Sequence, residues 1–164
     1  MTGKSNSQGE QMHNQDTGEL ELKLERISPQ QIDIFLRENA DEMLGNGRDF
    51  MLYMNGRLKE KNLLKKDVIM RADINQGYGY KLLTEEKVTK QRDVILRLCY
   101  AAEFTLEETQ YALRLYHMET LYARDARDAL IMACFNDRPG NIINVNELLL
   151  RNNMMPLRSS GVME

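Results

Sequence analysis

From Ser28 onward, apolar residues return every three to four positions, the spacing that gives an α-helix one buried stripe. Ser28-Pro29 offers an N-cap followed by proline at the first helical position, and Ile32, Phe35, Leu36, Ala40, Met43 and Leu44 continue the stripe. This predicts a helix over about 29–44, stopped by Gly45-Asn46-Gly47. Asp49 is placed to cap a second helix with Phe50, Met54 and Leu58 on one face. Two short helices are predicted over 65–72 and 76–84, then a longer one over 90–102 that turns Val94, Ile95, Leu98 and Ala102 inward. Thr105-Leu106-Glu107-Glu108 has the form of a capping box and opens a helix to Tyr116, with Thr109, Ala112 and Leu113 inward. A further helix over 124–135 ends at Asp137-Arg138-Pro139-Gly140, and Asn144 with Glu147 is the expected cap of the last, which carries Val145, Leu148 and Leu149 to Asn152. The expected fold is all-α, a compact multi-helix bundle with additional C-terminal helices.

The first 19 residues have almost no apolar side chains to offset the entropy of ordering. The run from Glu19 to Glu25 then alternates apolar and charged residues, the period of a half-buried strand or of an extended arm able to dock by strand addition. The expected organisation is a disordered or extended arm over 1–26, one helical domain over 27–153, and a flexible tail over 154–164. Within the domain, the core spans about 50–102 and the C-terminal helices about 105–152.

Composition narrows the setting. With 42% hydrophobic and 29% charged residues, and no apolar run near the roughly 18–20 residues of a membrane span, the chain reads as soluble, with no membrane partner. The N-terminus carries no apolar signal region, and Cys99 and Cys134 sit among apolar residues as reduced core thiols would, so a cytoplasmic location is expected. Neither cysteine belongs to a CxxC pair, no metal or cofactor is expected, and no nucleotide-binding, metalloprotease or serine-hydrolase motif occurs. His117 has no nucleophile near it by pattern, so no catalytic residue is assigned and the chain is not read as an enzyme. The net charge of −3 hides a segregation: residues 48–97 hold 12 Lys/Arg against 7 Asp/Glu, a local excess of +5 between acidic flanks. A basic centre of this kind suits a modest DNA-binding module, or simply a solvated face.

Inside that basic centre, Leu63, Val68, Ile69, Ala72, Ile74, Tyr78 and Leu82 fit two short helices around a turn near Asp73, with Ile74 plugging the gap and Asn75 capping the second helix. The order of Tyr78-Gly79-Tyr80-Lys81-Leu82-Leu83, Gln91-Arg92-Asp93, Leu106-Glu107-Glu108-Thr109-Gln110 and Leu121-Tyr122-Ala123-Arg124-Asp125-Ala126 then resembles the Cro/phage-repressor-like (XRE-type) helix-turn-helix family. More narrowly, it is similar to a bacterial subgroup with YGYxxxxxxK…RD and LYxxxxRDA patterns, over about residues 50–150. The resemblance implies a lambda repressor-like helix-turn-helix core, a transcriptional regulator of double-stranded DNA, and a recognition helix over about 76–84 in the major groove. A homodimer is implied because paired units read paired half-sites.

The candidate base contacts are Gln76 for adenine edges, Lys81 for guanine or phosphate, and Tyr78 and Tyr80 for phosphate or a thymine methyl. Tyr78 also falls on the apolar stripe, where it can serve structure instead. The candidate phosphate contacts are Lys65, Lys66, Lys87, Lys90 and Arg92. Arg92-Asp93, Arg124-Asp125 and Arg127-Asp128 equally offer ion pairs within the chain. Several positions depart from the family pattern. Asp73 stands at the turn in place of glycine, Ile69 replaces a small residue between the two helices and calls for wider spacing, and Glu85-Glu86 follow the recognition helix. Those carboxylates oppose phosphate, which leaves open an alternative: a protein-protein interaction or signalling module on a helix-turn-helix-like fold that has lost DNA binding. The acidic C-terminal helices are the expected surface for a dimer or a protein partner.

Overall fold

A computed structural model describes residues 17–43, 47–84 and 86–160. Among them it contains nine α-helices and no strand. The chain divides into two compact units, one up to Asn46 and one from Gly47.

In the first unit, α1 (Thr17–Leu24) occupies the alternating segment that resembled a strand or an extended arm. A lone strand leaves its backbone amides and carbonyls without partners, whereas a helix satisfies them internally, and Glu, Leu and Lys are strong helix formers. The predicted helix over 29–44 is broken. A 3-10 turn (Pro29–Gln31) leads into α2 (Ile32–Glu38), then Asn39 closes it, with its side-chain amide donating to the Phe35 carbonyl at 2.8 Å. Lys23 Nζ donates to the Asn39 side-chain oxygen at 2.9 Å, tying the end of α1 to the end of α2. Of the expected inward residues only Phe35 is buried in α2, and Ile32 and Leu36 stay exposed. Leu44 and the first two residues of the expected Gly45-Asn46-Gly47 stop lie outside the described residues.

The second unit carries the main core. Helix α3 (Arg48–Glu60) starts after Gly47, with Asp49 inside its first turn, and buries Phe50, Met54 and Leu58 at four-residue spacing. Two short helices follow, α4 (Lys65–Arg71) and α5 (Gln76–Leu82). Helix α6 (Arg92–Ala101) is buried from Asp93 to its end and packs against α4, α7 (Leu106–Leu115) and α9 (Ile142–Arg151), as a helix at the centre of a bundle must. Between α7 and α9 lies α8 (Ala126–Asp137), which packs on both. The last cap is one turn earlier than its sequence suggested. Asn141 accepts from the Asn144 amide at 3.2 Å while Asn144 accepts in return from the Asn141 amide at 3.0 Å. Beyond 153 the chain stays attached to the bundle: Leu157 is buried in the core and the Arg158 amide donates to Asp93 Oδ2.

Asn62, Asp73, Glu103, His117, Arg138 and Asn153 follow the ends of α3, α4, α6, α7, α8 and α9, each with φ between 53° and 60°. Left-handed backbone at the residue after a helix lets the chain turn back and satisfy the last carbonyls. His117 therefore serves as a helix stop and is exposed.

Glu108 joins two helices through one carboxylate. As the third residue of the α7 capping box it accepts from the Thr105 amide at 3.0 Å, and it also receives Lys61 Nζ at 3.1 Å and Arg57 Nε at 2.5 Å from the end of α3. Burial opposes its ionisation, but the Thr105 amide and the Lys61 and Arg57 cations outweigh burial and hold the carboxyl below the usual glutamate range. A carboxyl depressed in the folded state stabilises the fold above its unfolded pKa, and that stabilisation is lost as pH falls through the lower folded value. Urea unfolding midpoints are therefore expected to decline as pH drops below about 4.3, and Glu108→Gln to flatten that decline. Equal slopes for the two proteins would show that Glu108 contributes nothing to acid sensitivity.

Cys99 and Cys134 are buried and unbridged, and burial pushes both thiols upward in pKa, which keeps them protonated and unreactive.

Candidate nucleic-acid interface

Helices α4 and α5 enclose a tight turn. Asp73 takes left-handed geometry at φ 54° and its amide donates to the Met70 carbonyl, a conformation that aspartate adopts more readily than most residues. Ile74 turns into the core at 8% exposure, and the Asn75 side-chain oxygen accepts from the Tyr78 amide at 3.0 Å. These are the roles the sequence predicted for them. At the far end of α5, Thr84 Oγ1 donates to the Tyr80 carbonyl and Asn55 of α3 donates to the Leu83 carbonyl, closing the helix onto the bundle.

The bulk of Ile69 meets a residue without a side chain. That residue is Gly79, whose backbone passes so close that a Cβ there would stand 2.6 Å from Ile69 Cγ2 and 3.0 Å from Ile74 Cδ1. The small residue that lets the two helices touch stands on α5, opposite the large Ile69 of α4. Gly77, by contrast, faces outward.

Gln76, Gly77 and Tyr80 of α5 face Leu64, Lys65 and Lys66 at the start of α4 across an open groove floored by Ile69. Lys81 is exposed one residue beyond Tyr80. Four of the predicted contacts, Gln76, Tyr80, Lys65 and Lys66, thus gather in one place. Leu64 and the Ile69 floor were not predicted, because a groove made by two helices has no signature in the periodicity of either one.

The other predicted residues lie elsewhere. Tyr78 is half-buried against the core and does not line the groove, and Lys87 Nζ lies 5.2 Å from the centre of its ring in a cation–π contact. Lys90 is exposed in the segment before α6, where Thr89 is fixed by its amide donating to Tyr116 Oη at 2.9 Å. Arg92, expected to meet phosphate, instead grips Asp128 of α8 with two terminal nitrogens at 2.6 and 3.1 Å, so its charge is neutralised within the fold. The neighbouring Asp93 receives Arg127 in the same two-pronged way, at 2.9 and 3.1 Å. Of the two carboxylates that opposed DNA binding, Glu86 is exposed and Glu85 lies outside the described residues.

No family model, curated protein or solved structure matches the chain. Among the described residues no helix is long and apolar enough to cross a membrane, and no three His, Cys, Asp or Glu side chains gather as a metal ion would require.

Proposed function

We propose that the chain binds double-stranded DNA as a transcriptional regulator, with α5 lying in the major groove. The observation that carries this reading is the groove in which Gln76 and Tyr80 of α5 stand beside Lys65 and Lys66 of α4. Gln76 holds the donor and acceptor that an adenine edge demands, and lysines at the rim supply charge to the flanking phosphates. The local excess of positive charge over residues 48–97 favours the same partner. The regulator acts as a homodimer whose two α5 helices sit about one DNA turn apart, roughly 34 Å. Ile143 and Leu150, exposed seven residues apart on α9, are available to such an interface.

Fluorescence anisotropy against a mixed duplex pool, repeated over a range of salt, tests the reading. Log affinity is expected to fall linearly with log salt, and Lys65→Glu with Lys81→Glu to weaken binding and flatten the slope by about one to two. Absence of binding at low salt overturns it. A second reading, a protein-interaction module, is favoured by the same groove's apolar character: Leu64 and Tyr80 are more than half exposed beside Ile69. On that reading the groove takes an apolar helix and DNA binding stays undetectable.

A further inference from the structure

The segment over 155–158 is held by its main chain. Arg127 Nε donates to the Met155 carbonyl at 2.9 Å and its terminal nitrogen to the Pro156 carbonyl at 3.3 Å. The Leu157 amide donates to Asn146 Oδ1 at 2.8 Å, and the Arg158 amide to Asp93 Oδ2 at 3.0 Å. The Leu157 carbonyl accepts from a terminal nitrogen of Arg97 at 2.6 Å. Side chains from α6, α8 and α9 therefore converge on four consecutive residues that lie outside every helix.

Arg97 is the link to the interface. It is 5% exposed on the central helix, and its other terminal nitrogen donates to the Ala72 and Asp73 carbonyls at 3.0 and 3.2 Å. Those carbonyls end α4, where the helix itself has no amide left to offer. A guanidinium is a planar fork, so fixing one prong on Leu157 fixes the direction of the other. The turn at Asp73 sets where α5 begins, three residues later at Gln76.

We infer that the 155–158 segment is a strap that positions the helix-turn-helix for its DNA partner, with Arg97 as the positioning residue that transmits it. This rests on the DNA-binding reading given above for its function, though not for its mechanics. Releasing the strap frees the Arg97 fork, the turn loses its fixed carbonyls, and α5 moves relative to α4.

Amide hydrogen exchange on the full chain, alongside duplex binding, tests this. Arg97→Lys, which cannot span both sides as a fork, and Asn146→Ala, which loosens only the strap, are each expected to speed exchange over 73–79 about tenfold more than at Ala112 and Leu113 of α7. Both are expected to weaken duplex binding. Val145→Ala on the same helix is the control for general destabilisation, and is expected to raise exchange evenly. The inference is overturned if Asn146→Ala leaves 73–79 unchanged, or raises exchange there no more than in α7, as Val145→Ala does. If exchange responds as expected but the unaltered chain binds no duplex, the mechanical link stands and the DNA reading falls.

Discussion

Gly79→Ala is expected to destabilise the protein by about 1–3 kcal/mol, although alanine is the better helix former by about 1 kcal/mol. The added methyl would meet both γ-carbons of Ile69, at 2.6 and 3.1 Å, and Ile74 Cδ1 at 3.0 Å. Ile69 is β-branched and held by its own helix, so its near atoms have no free rotamer into which to retreat. The pair of companion changes makes the test specific. Ile69→Val keeps both γ-carbons and should leave the penalty of Gly79→Ala intact, whereas in an Ile69→Ala background the same change should be neutral or stabilising. Urea unfolding of the four single and double variants reads this out, and a Gly79→Ala penalty that persists in the Ile69→Ala background would remove the steric explanation.

Replacing Arg92 with methionine is expected to have a larger effect, about 3–5 kcal/mol at neutral pH, because it strands a carboxylate whose side chain is 6% exposed. Asp128 would retain only the Tyr122 amide at 3.0 Å from its present set of donors. Asp128→Asn in the same chain removes the stranded charge and is expected to recover a substantial part of the loss. Unfolding midpoints that shift by less than 1 kcal/mol on Arg92→Met would return Arg92 to the pool of solvent-facing cations available to phosphate.

These two sites also mark where sequence reading succeeds and where it stops. Local chemistry was legible: Asp73, Ile74 and Asn75 announce a left-handed turn, a plug and a cap within three residues, and Thr105 with Glu108 announces a capping box. The all-helical class followed from the spacing of apolar residues, which each helix must satisfy alone. What depends on distant parts of the chain was not legible. Arg92 resembles any basic residue flanking a recognition helix until α8 brings Asp128, 36 residues later, against it. The exchange of size between Ile69 and Gly79 is hidden for the same reason, since neither residue alone reports what it faces.

Two local misreadings have different causes. The alternation over 19–25 has strand period, but without a neighbouring strand the helix is the better way to satisfy its backbone. The last cap was ambiguous because Asn141, Asn144 and Glu147 repeat the same three-residue spacing, and only the first pair fits the chain leaving Gly140. The groove between α4 and α5 was half visible: its polar rim could be named residue by residue, while its apolar wall at Leu64 emerged only when the helices were set side by side.

The crossed pairing of Arg92-Asp93 with Arg127-Asp128 has a meaning beyond its contribution to stability. Each dipeptide presents one cation and one anion, and the two run in opposite senses, so that Arg92 meets Asp128 as Asp93 meets Arg127. Loss of any one of the four side chains strands a charge beside the surviving pair, so the two pairs act together as one clasp that fixes the start of α8 to the start of the central helix.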